Sequence, residues 1–295
     1  MYDVIVVGGN YAGIAAALQL ARARQTILVI DAGTRRNRFA ATSHGFLGQD
    51  GRAPGAIVSD ARAQLMAYPT VEWVEVQAER AEKTETGFVI TTQNGHTYES
   101  RRLILATGVI DNLPDIPGLA ERWGRTIFHC PYCHGYELDK GRIGVLAVSP
   151  LSMHHALMLP DWGSTTFFLN GAFIPDSGQL AQLHKRGVAI EHEMIEHISG
   201  SADVKLRDGR VIALDGIFTL TRTSMASPLA EQLGCTFEDG PLGPFIQTDM
   251  FKETTVPGVF ACGDAARAMG SVAVAVGDGT MAGAGTHQSL IFRDA

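Results

Sequence analysis

The apolar positions along this chain fall into short unbroken runs and stretches with helical spacing, and glycines stand at the junctions. Residues 2–7 form one such run and read as a buried strand. Ile14, Ala17, Leu18 and Ala21 then recur at helical spacing, and residues 26–30 form a second strand closed by Asp31. Residues 55–68 place Ile57, Val58, Ala61 and Leu65 on one helical face. Residues 71–76, 88–92 and 97–99 read as strands, with Asn94-Gly95 as a hairpin turn. Residues 103–108 are another buried strand ending in glycine, and Pro114, Pro117 and Gly118 mark a boundary after it. A second strand, helix, strand pattern runs over 143–148, 153–159 and 165–169, followed by a helix and short strands over 183–190, 204–206 and 211–214. The last third holds an apolar strand ending in Gly263-Asp264 and a glycine-rich helix from about Val272 to Ile291.

The first junction carries chemistry. Gly8-Gly9-Asn10-Tyr11-Ala12-Gly13 stands between strand and helix, with Asp31 at the end of the next strand. This is the order of a dinucleotide-binding turn: Gly8 for the tight turn, Gly13 for close helix packing, the helix N-terminus for a pyrophosphate and the acid for a ribose hydroxyl. Asn10 occupies the place where a second glycine normally lets backbone approach phosphate, and Asn tolerates a left-handed conformation better than most residues. At the corresponding turn of the second pattern stand Ala147, Ser149, Pro150 and Ser152. Their Cβ atoms obstruct a phosphate, and the strand after them is followed by Asn170-Gly171-Ala172, with neither an acid nor an arginine for a ribose.

Composition narrows the classes. Among 295 residues, 45% are hydrophobic and 19% charged, which describes a globular α/β chain. The net charge of −7 and the scattered basic residues give no reason to expect nucleic acid. The N-terminus has no basic region before its apolar run, and residues 12–23 are too short to span a bilayer, so the expectation is a cytoplasmic protein without a membrane segment. There, cysteines stay reduced unless catalytic. Of the four, Cys235 and Cys262 read as small buried hydrophobes, while Cys130 and Cys133 form a Cys-x-x-Cys pair inside His129-Cys130-Pro131-Tyr132-Cys133-His134.

A Cys-x-x-Cys pair brings two sulfurs together for disulfide exchange and lowers a thiol pKa. His134 is the candidate proton carrier, with an ordinary pKa near 6.5; the role of His129 is open, and Glu137 either orients a histidine or is an exposed acid. Zinc is the alternative for this hexapeptide, but adjacent residues such as His129 and Cys130 point apart and no second Cys-x-x-Cys completes a tetrahedron, so no metal is expected. His192 and His197 are one residue too far apart for a metalloprotease helix and read as surface helix or loop. His44, His154 and His155 read as solvent-facing or capping residues.

Taken together, Gly8 to Gly13 with Asp31, Ala106-Thr107-Gly108, Cys130 to Cys133, and residues 255–264 with Gly277-Asp278-Gly279 resemble the low-molecular-weight thioredoxin reductase family over nearly the whole chain. The resemblance implies an α/β fold of two Rossmann-like three-layer ββα domains. One is a discontinuous FAD-binding domain, residues 1–110 and 223–295; the other is an inserted, degenerate nucleotide-binding-like domain, residues 111–222, that carries the Cys pair. It implies FAD, held at Gly8, Gly9, Asn10, Tyr11, Ala12, Gly13, Asp31, Ala106, Thr107, Gly108, Gly263, Asp264 and Val272. Gly263-Asp264 would contact the ribitol, and the helix starting near Val272 would aim at the isoalloxazine. Cys133 would sit against the flavin and Cys130 would exchange with substrate; a homodimer is implied as well.

Two departures refine this. His134 follows the second cysteine where the reductases usually carry Asp, and the glycine-rich NADPH turn with its basic residues is absent. The string Cys-x-x-Cys-His-Gly-Tyr-Glu with a degenerate second nucleotide site is similar to the branch containing the fungal gliotoxin and holomycin dithiol oxidases, which use oxygen to close a disulfide in a small dithiol. The expectation is an FAD-dependent oxidoreductase that oxidises a small-molecule dithiol or a thioredoxin-like protein, with molecular oxygen as acceptor. The alternatives are a thioredoxin reductase fed by ferredoxin or by atypically bound NADPH, and a flavin-based redox sensor.

Overall fold

The computed structural model describes residues 1–293. Packing divides the chain into two units: Met1–Arg36, Pro54–Ile110 and the chain from Thr223 onward form the first, and Asn37–Ala53 with Asp111–Arg222 form the second.

In the first unit Val71–Glu75, Ile27–Asp31, Tyr2–Val7, Thr97–Leu105 and Val259–Ala261 lie side by side in parallel. The N-terminal half of Thr97–Leu105 also pairs antiparallel with Phe88–Thr92, which in turn pairs with Ala78–Lys83. The parallel strands are buried on both faces, which is why they read as unbroken apolar runs. Val4, Val6, Ile27, Val29 and Phe260 pack with Ile14, Ala17, Leu20 and Leu290 from the helices, while Ile5, Val7, Leu28, Ile30 and Leu105 pack with Phe88, Ile90 and Ile246. Each fully buried side chain of this kind contributes roughly 1.5–3 kcal/mol. The Tyr11–Arg22 and Val272–Phe292 helices approach so closely that a Cβ on Gly279 or Gly283 would overlap or crowd the carbonyl oxygens of Ala12 and Ala16.

The second unit holds a five-stranded parallel sheet in the order Ala189–Glu191, Gly163–Phe168, Lys140–Leu146, Gly216–Thr219, Ile127–Phe128. Ile143, Val145, Phe167 and Phe218 pack with Met153, Ala156 and Leu159 of the short helical segments. Leu146, Phe168 and Ile217 pack with Ile195, Ile198, Val204 and Leu206 of a three-stranded antiparallel sheet made by Ile195–Ser199, Asp203–Leu206 and Val211–Ile212.

Three expectations change here. Residues 37–53, assigned by the sequence to the first unit, belong to the second. Gly124, at φ 73°, lies against Phe39, where a Cβ would come within 2.7 Å of the Phe39 Cβ. Of His192–His197, read as surface helix or loop, residues 192–194 are loop, but a strand begins at Ile195, and a register shift between Ile195 and His197 turns both Ile195 and Ile198 inward. The strand Ala78–Lys83 is new, and its buried Ala78 and Ala81 are likewise three apart because the register shifts between Ala78 and Arg80. Among the described residues no helix is long and apolar enough to cross a membrane.

Candidate functional site

The glycine turn of the first unit is built by close approach. Gly8 adopts φ 105°, and a Cβ on it would overlap the Ala106 carbonyl oxygen; one on Gly13 would overlap the Gly8 carbonyl oxygen. Ala106 N–H donates to the Val7 carbonyl at 2.8 Å, so the segment Ala106-Thr107-Gly108 is tied to the same turn, and Gly108 turns away at φ 69°. Asn10 is not left-handed as expected. It has extended backbone, φ −109°, and caps the Tyr11–Arg22 helix by accepting from Tyr11 N–H at 2.9 Å. The Ala12 and Gly13 amides at the helix start then have no carbonyl partner within the helix. Asp31 Oδ1 accepts from Gly9 N–H at 3.0 Å, leaving its second oxygen for a ligand.

A cleft of about 590 Å³ opens beside this turn, lined by Gly9, Asn10, Asp31, Arg35, Trp73 and Gln77 among others. Trp73 lies across Gly9, its indole N–H buried without a hydrogen-bond partner among the described residues, and Arg62 stacks on its ring at 4.3 Å. First-turn amides, an acid with a spare oxygen and an adjoining cleft fit a dinucleotide, and these residues could hold one.

Gly263 stands at φ 70° after the Val259–Ala261 strand, and Asp264 Oδ2 accepts from Arg36 at 2.8 Å. The following helix starts at Val272, capped by the Ser271 side chain. Within it, Asp278 is 1% exposed and pairs with Lys252 at 3.0 Å and with Arg267 at 2.5 and 2.6 Å. Burial alone would raise its pKa, but Arg267 and Lys252 hold it below the ordinary value. The sequence signal for this buried pair is an acid between glycines in an apolar helix.

In the second unit Cys130 follows the Ile127–Phe128 strand with extended backbone, and Pro131 opens the single turn Pro131–His134. Pro131 presets φ for that turn and has no N–H to leave unpaired. The turn swings Cys133 back, with its N–H donating to the Cys130 carbonyl at 3.2 Å and the two Sγ atoms 2.7 Å apart. The Cys130 thiol is pulled down to about 7 by the hydrogen bond from the Cys133 thiol, against the effect of burial, with the Cys133 and Tyr132 amides helping. Cys133 is pushed up because it donates that bond, because it is buried, and because Cys130 and Glu137 carry negative charge nearby. Cys130 is thus the thiolate and Cys133 the thiol.

His134 stacks on Phe128 at 4.3 Å, and neither buried ring nitrogen has a hydrogen-bond partner among the described residues. Burial, with His129 and His44 adding to it, lowers its pKa to about 4. His134 therefore lies below the ordinary histidine value and is neutral at physiological pH. Glu137 does meet a histidine, but it is His44, with Oε1 3.4 Å from Nε2. His155, expected at the surface, is 4% exposed and stands edge-on to Phe218, while His154 is exposed. Tyr132 and Tyr136 are 72% and 85% exposed beside the cysteines, with Tyr132 edge-on to Trp162. No three His, Cys, Asp or Glu side chains converge as a metal site among the described residues.

The turn after Lys140–Leu146 is closed by its own side chains. The Ser152 hydroxyl, fully buried, accepts from Val148 N–H at 3.0 Å, and the Ser149 hydroxyl accepts from Leu151 N–H at 3.3 Å. Two amides of this turn, those of Val148 and Leu151, are thereby engaged by side chains.

Comparison with known proteins accords with this geometry. The pyridine nucleotide-disulphide oxidoreductase profile matches residues 2–279. The thioredoxin reductase tcpT of Claviceps purpurea is 33% identical, over 95% of this chain and 92% of its own. The crystal structure of an oxidoreductase from Agrobacterium tumefaciens superposes with a TM-score of 0.97 at 57% identity, covering 99% of both chains. That of HlmI superposes with a TM-score of 0.91 at 34% identity, covering 99% of this chain and 93% of HlmI. With its two Rossmann-like units and its paired cysteines, the chain belongs to the pyridine nucleotide-disulphide oxidoreductase family and is an enzyme of the thioredoxin reductase type.

Proposed function

We propose that this protein is an FAD-dependent oxidase of dithiols, with the first unit as the FAD-binding domain and the unit around residues 111–222 as a nucleotide-binding-like domain that no longer takes NADPH. The observation that carries the reading is the turn after Lys140–Leu146: Ser152 and Ser149 engage its Val148 and Leu151 amides, and Cβ-bearing residues stand where a nucleotide turn has glycines. The family typically binds FAD, and the Gly8 to Gly13 turn, Asp31 and the Gly263-Asp264 segment are the residues for it here. The Cys-Pro-Tyr-Cys-His-Gly-Tyr-Glu string supports the reading through its resemblance to the branch of small-dithiol oxidases.

The chemistry follows from the two sulfurs. One substrate thiol loses its proton, and its thiolate attacks Cys130 Sγ of the Cys130–Cys133 disulfide, expelling Cys133 as thiolate. The second substrate thiol loses its proton and attacks the substrate sulfur of the mixed disulfide, expelling Cys130 as thiolate. The substrate leaves as a disulfide, and its electron pair resides on the cysteines. Cys130, with a pKa of about 7, is a good leaving group at neutral pH, which favours this direction. His134, neutral and stacked on Phe128, adds to the desolvated surroundings of the pair. When bound, FAD supplies a two-electron acceptor that oxygen reoxidises. The substrate is a small-molecule dithiol or a thioredoxin-like protein, and the enzyme works as a cytoplasmic homodimer. The test is steady turnover: with a small dithiol in air, disulfide and hydrogen peroxide should accumulate in equal amounts over many cycles. A single stoichiometric reaction without turnover would leave a redox sensor instead.

One observation favours a second reading. The family profile and the named relative are those of reductases, so a thioredoxin reductase fed by ferredoxin or by NADPH in an unusual pose runs the same exchange in reverse.

A further inference from the structure

Exchange of a dithiol with the Cys130–Cys133 disulfide takes two protons off the substrate thiols, to be returned when the electron pair reaches oxygen as peroxide, and the histidine of the redox motif does not hold them: both His134 ring nitrogens are buried against Phe128 with no partner among the described residues. A second histidine stands alongside. His44, from the 37–53 segment that packs with the Cys-bearing unit, has Nε2 3.4 Å from Glu137 Oε1 and 3.1 Å from Thr42 Oγ1, and Nδ1 3.6 Å from Asp50 Oδ1. Glu137 lies four residues after Cys133, and its charge acts on that thiol; His44 acts in turn on His134. Exposure rises outward along the set: 19% for the His44 side chain, 42% for Glu137 and 68% for Asp50. The loop is shaped to hold this ring. Ser43 bridges to Arg52, and Gly45 N–H donates to Asp50 Oδ1 at 2.7 Å, which fixes the carboxylate facing Nδ1.

We propose that His44, clamped between Glu137 and Asp50, is the proton relay of the dithiol site, passing to solvent the protons that the substrate thiols release. The proposal rests on the dithiol-exchange reading of Cys130 and Cys133. One ring nitrogen accepts a proton while the other donates to the opposite carboxylate, whose exposed oxygen hands the proton to water. The titratable groups facing the ring are Glu137, Asp50 and His134.

The holoprotein, oxidised and under nitrogen, is mixed with dithiothreitol over a range of pH. Loss of the Cys130–Cys133 disulfide is read by acid quenching, alkylation and mass. His44→Gln should slow this step about a hundredfold, shift its pH profile, and recover rate when imidazole is added. Glu137→Gln should give a smaller loss with a shifted acid limb. His44→Gln reacting at the wild-type rate would overturn the relay. So would a slow variant with an unchanged profile and no response to imidazole, the behaviour of a mere loop clamp. Wild-type protein that exchanges with dithiothreitol but makes no peroxide in air would sink the oxidase reading and leave the relay standing; a wild-type disulfide inert to dithiols would sink both.

Discussion

Cys130 and Cys133 are the same residue type three positions apart, yet their environments push their pKa values in opposite directions, and that asymmetry sets their roles. The largest cause on both sides is the hydrogen bond from the Cys133 thiol to Cys130. Alkylation of the reduced protein by iodoacetamide should therefore strike Cys130 first, its rate rising as pH climbs through about 7 and levelling above it. In Cys133→Ala the donor is gone, and the midpoint should move up toward the ordinary cysteine value of about 8.5; an unmoved midpoint would mean that the backbone amides alone set the thiolate. With FAD bound, Cys130→Ser removes the sulfur whose hydrogen bond and charge push Cys133 up, so Cys133 should ionise and give a long-wavelength absorbance band, and Cys133→Ser should not. The same spectrum from both variants would reverse the assignment of the sulfurs. Asp278 makes a different claim at this scale. Its folded pKa is depressed, so its pairing stabilises the protein above the unfolded carboxylate value and is lost as pH falls through the folded one. Asp278→Ala leaves Lys252 and Arg267 without their counter-charge and should cost about 3–5 kcal/mol in urea unfolding at neutral pH, with the difference shrinking in acid. A cost below about 1 kcal/mol, the range of a surface pair, would show that the buried pairing does not matter.

At the scale of elements, glycine spacing decides how closely helices pack. Gly279 lies against the Ala12 carbonyl, so Gly279→Ala should separate the Tyr11–Arg22 and Val272–Phe292 helices, destabilise by about 1–3 kcal/mol, and loosen whatever the Ala12 and Gly13 amides hold. Unfolding in urea and flavin retention on a desalting column check both halves. The parallel strands were legible because burial on both faces leaves an apolar run with no competing period, and the Gly8 to Gly13 turn because its chemistry is local. Two strands were hidden by bulges: Ala78 with Ala81, and Ile195 with Ile198, sit three apart on a strand only because the register shifts between them, and that spacing imitates a helix. His155 escaped for another reason. Its burial depends on Phe218, distant in sequence, and nothing in His154-His155 says which ring turns inward. Asn10 was judged by the glycine it replaces, whereas extended backbone and a side-chain cap let it stand there without strain.

At the scale of the molecule, a chain of the pyridine nucleotide-disulphide oxidoreductase family keeps two Rossmann-like units, and in the second of them side chains engage the Val148 and Leu151 amides. Sequence placed the Cys pair and both turns, because each is a contiguous string. It misplaced residues 37–53, whose packing is fixed by partners as distant as Gly124 and Glu137. The central claim is that electrons enter from a dithiol and not from NADPH, and anaerobic reduction of the flavin tests it most directly. Under nitrogen, a small dithiol should bleach the bound flavin rapidly while stoichiometric NADPH should leave it yellow, because the Val148 and Leu151 amides are held by Ser152 and Ser149. Rapid bleaching by NADPH would contradict the account and restore an ordinary thioredoxin reductase.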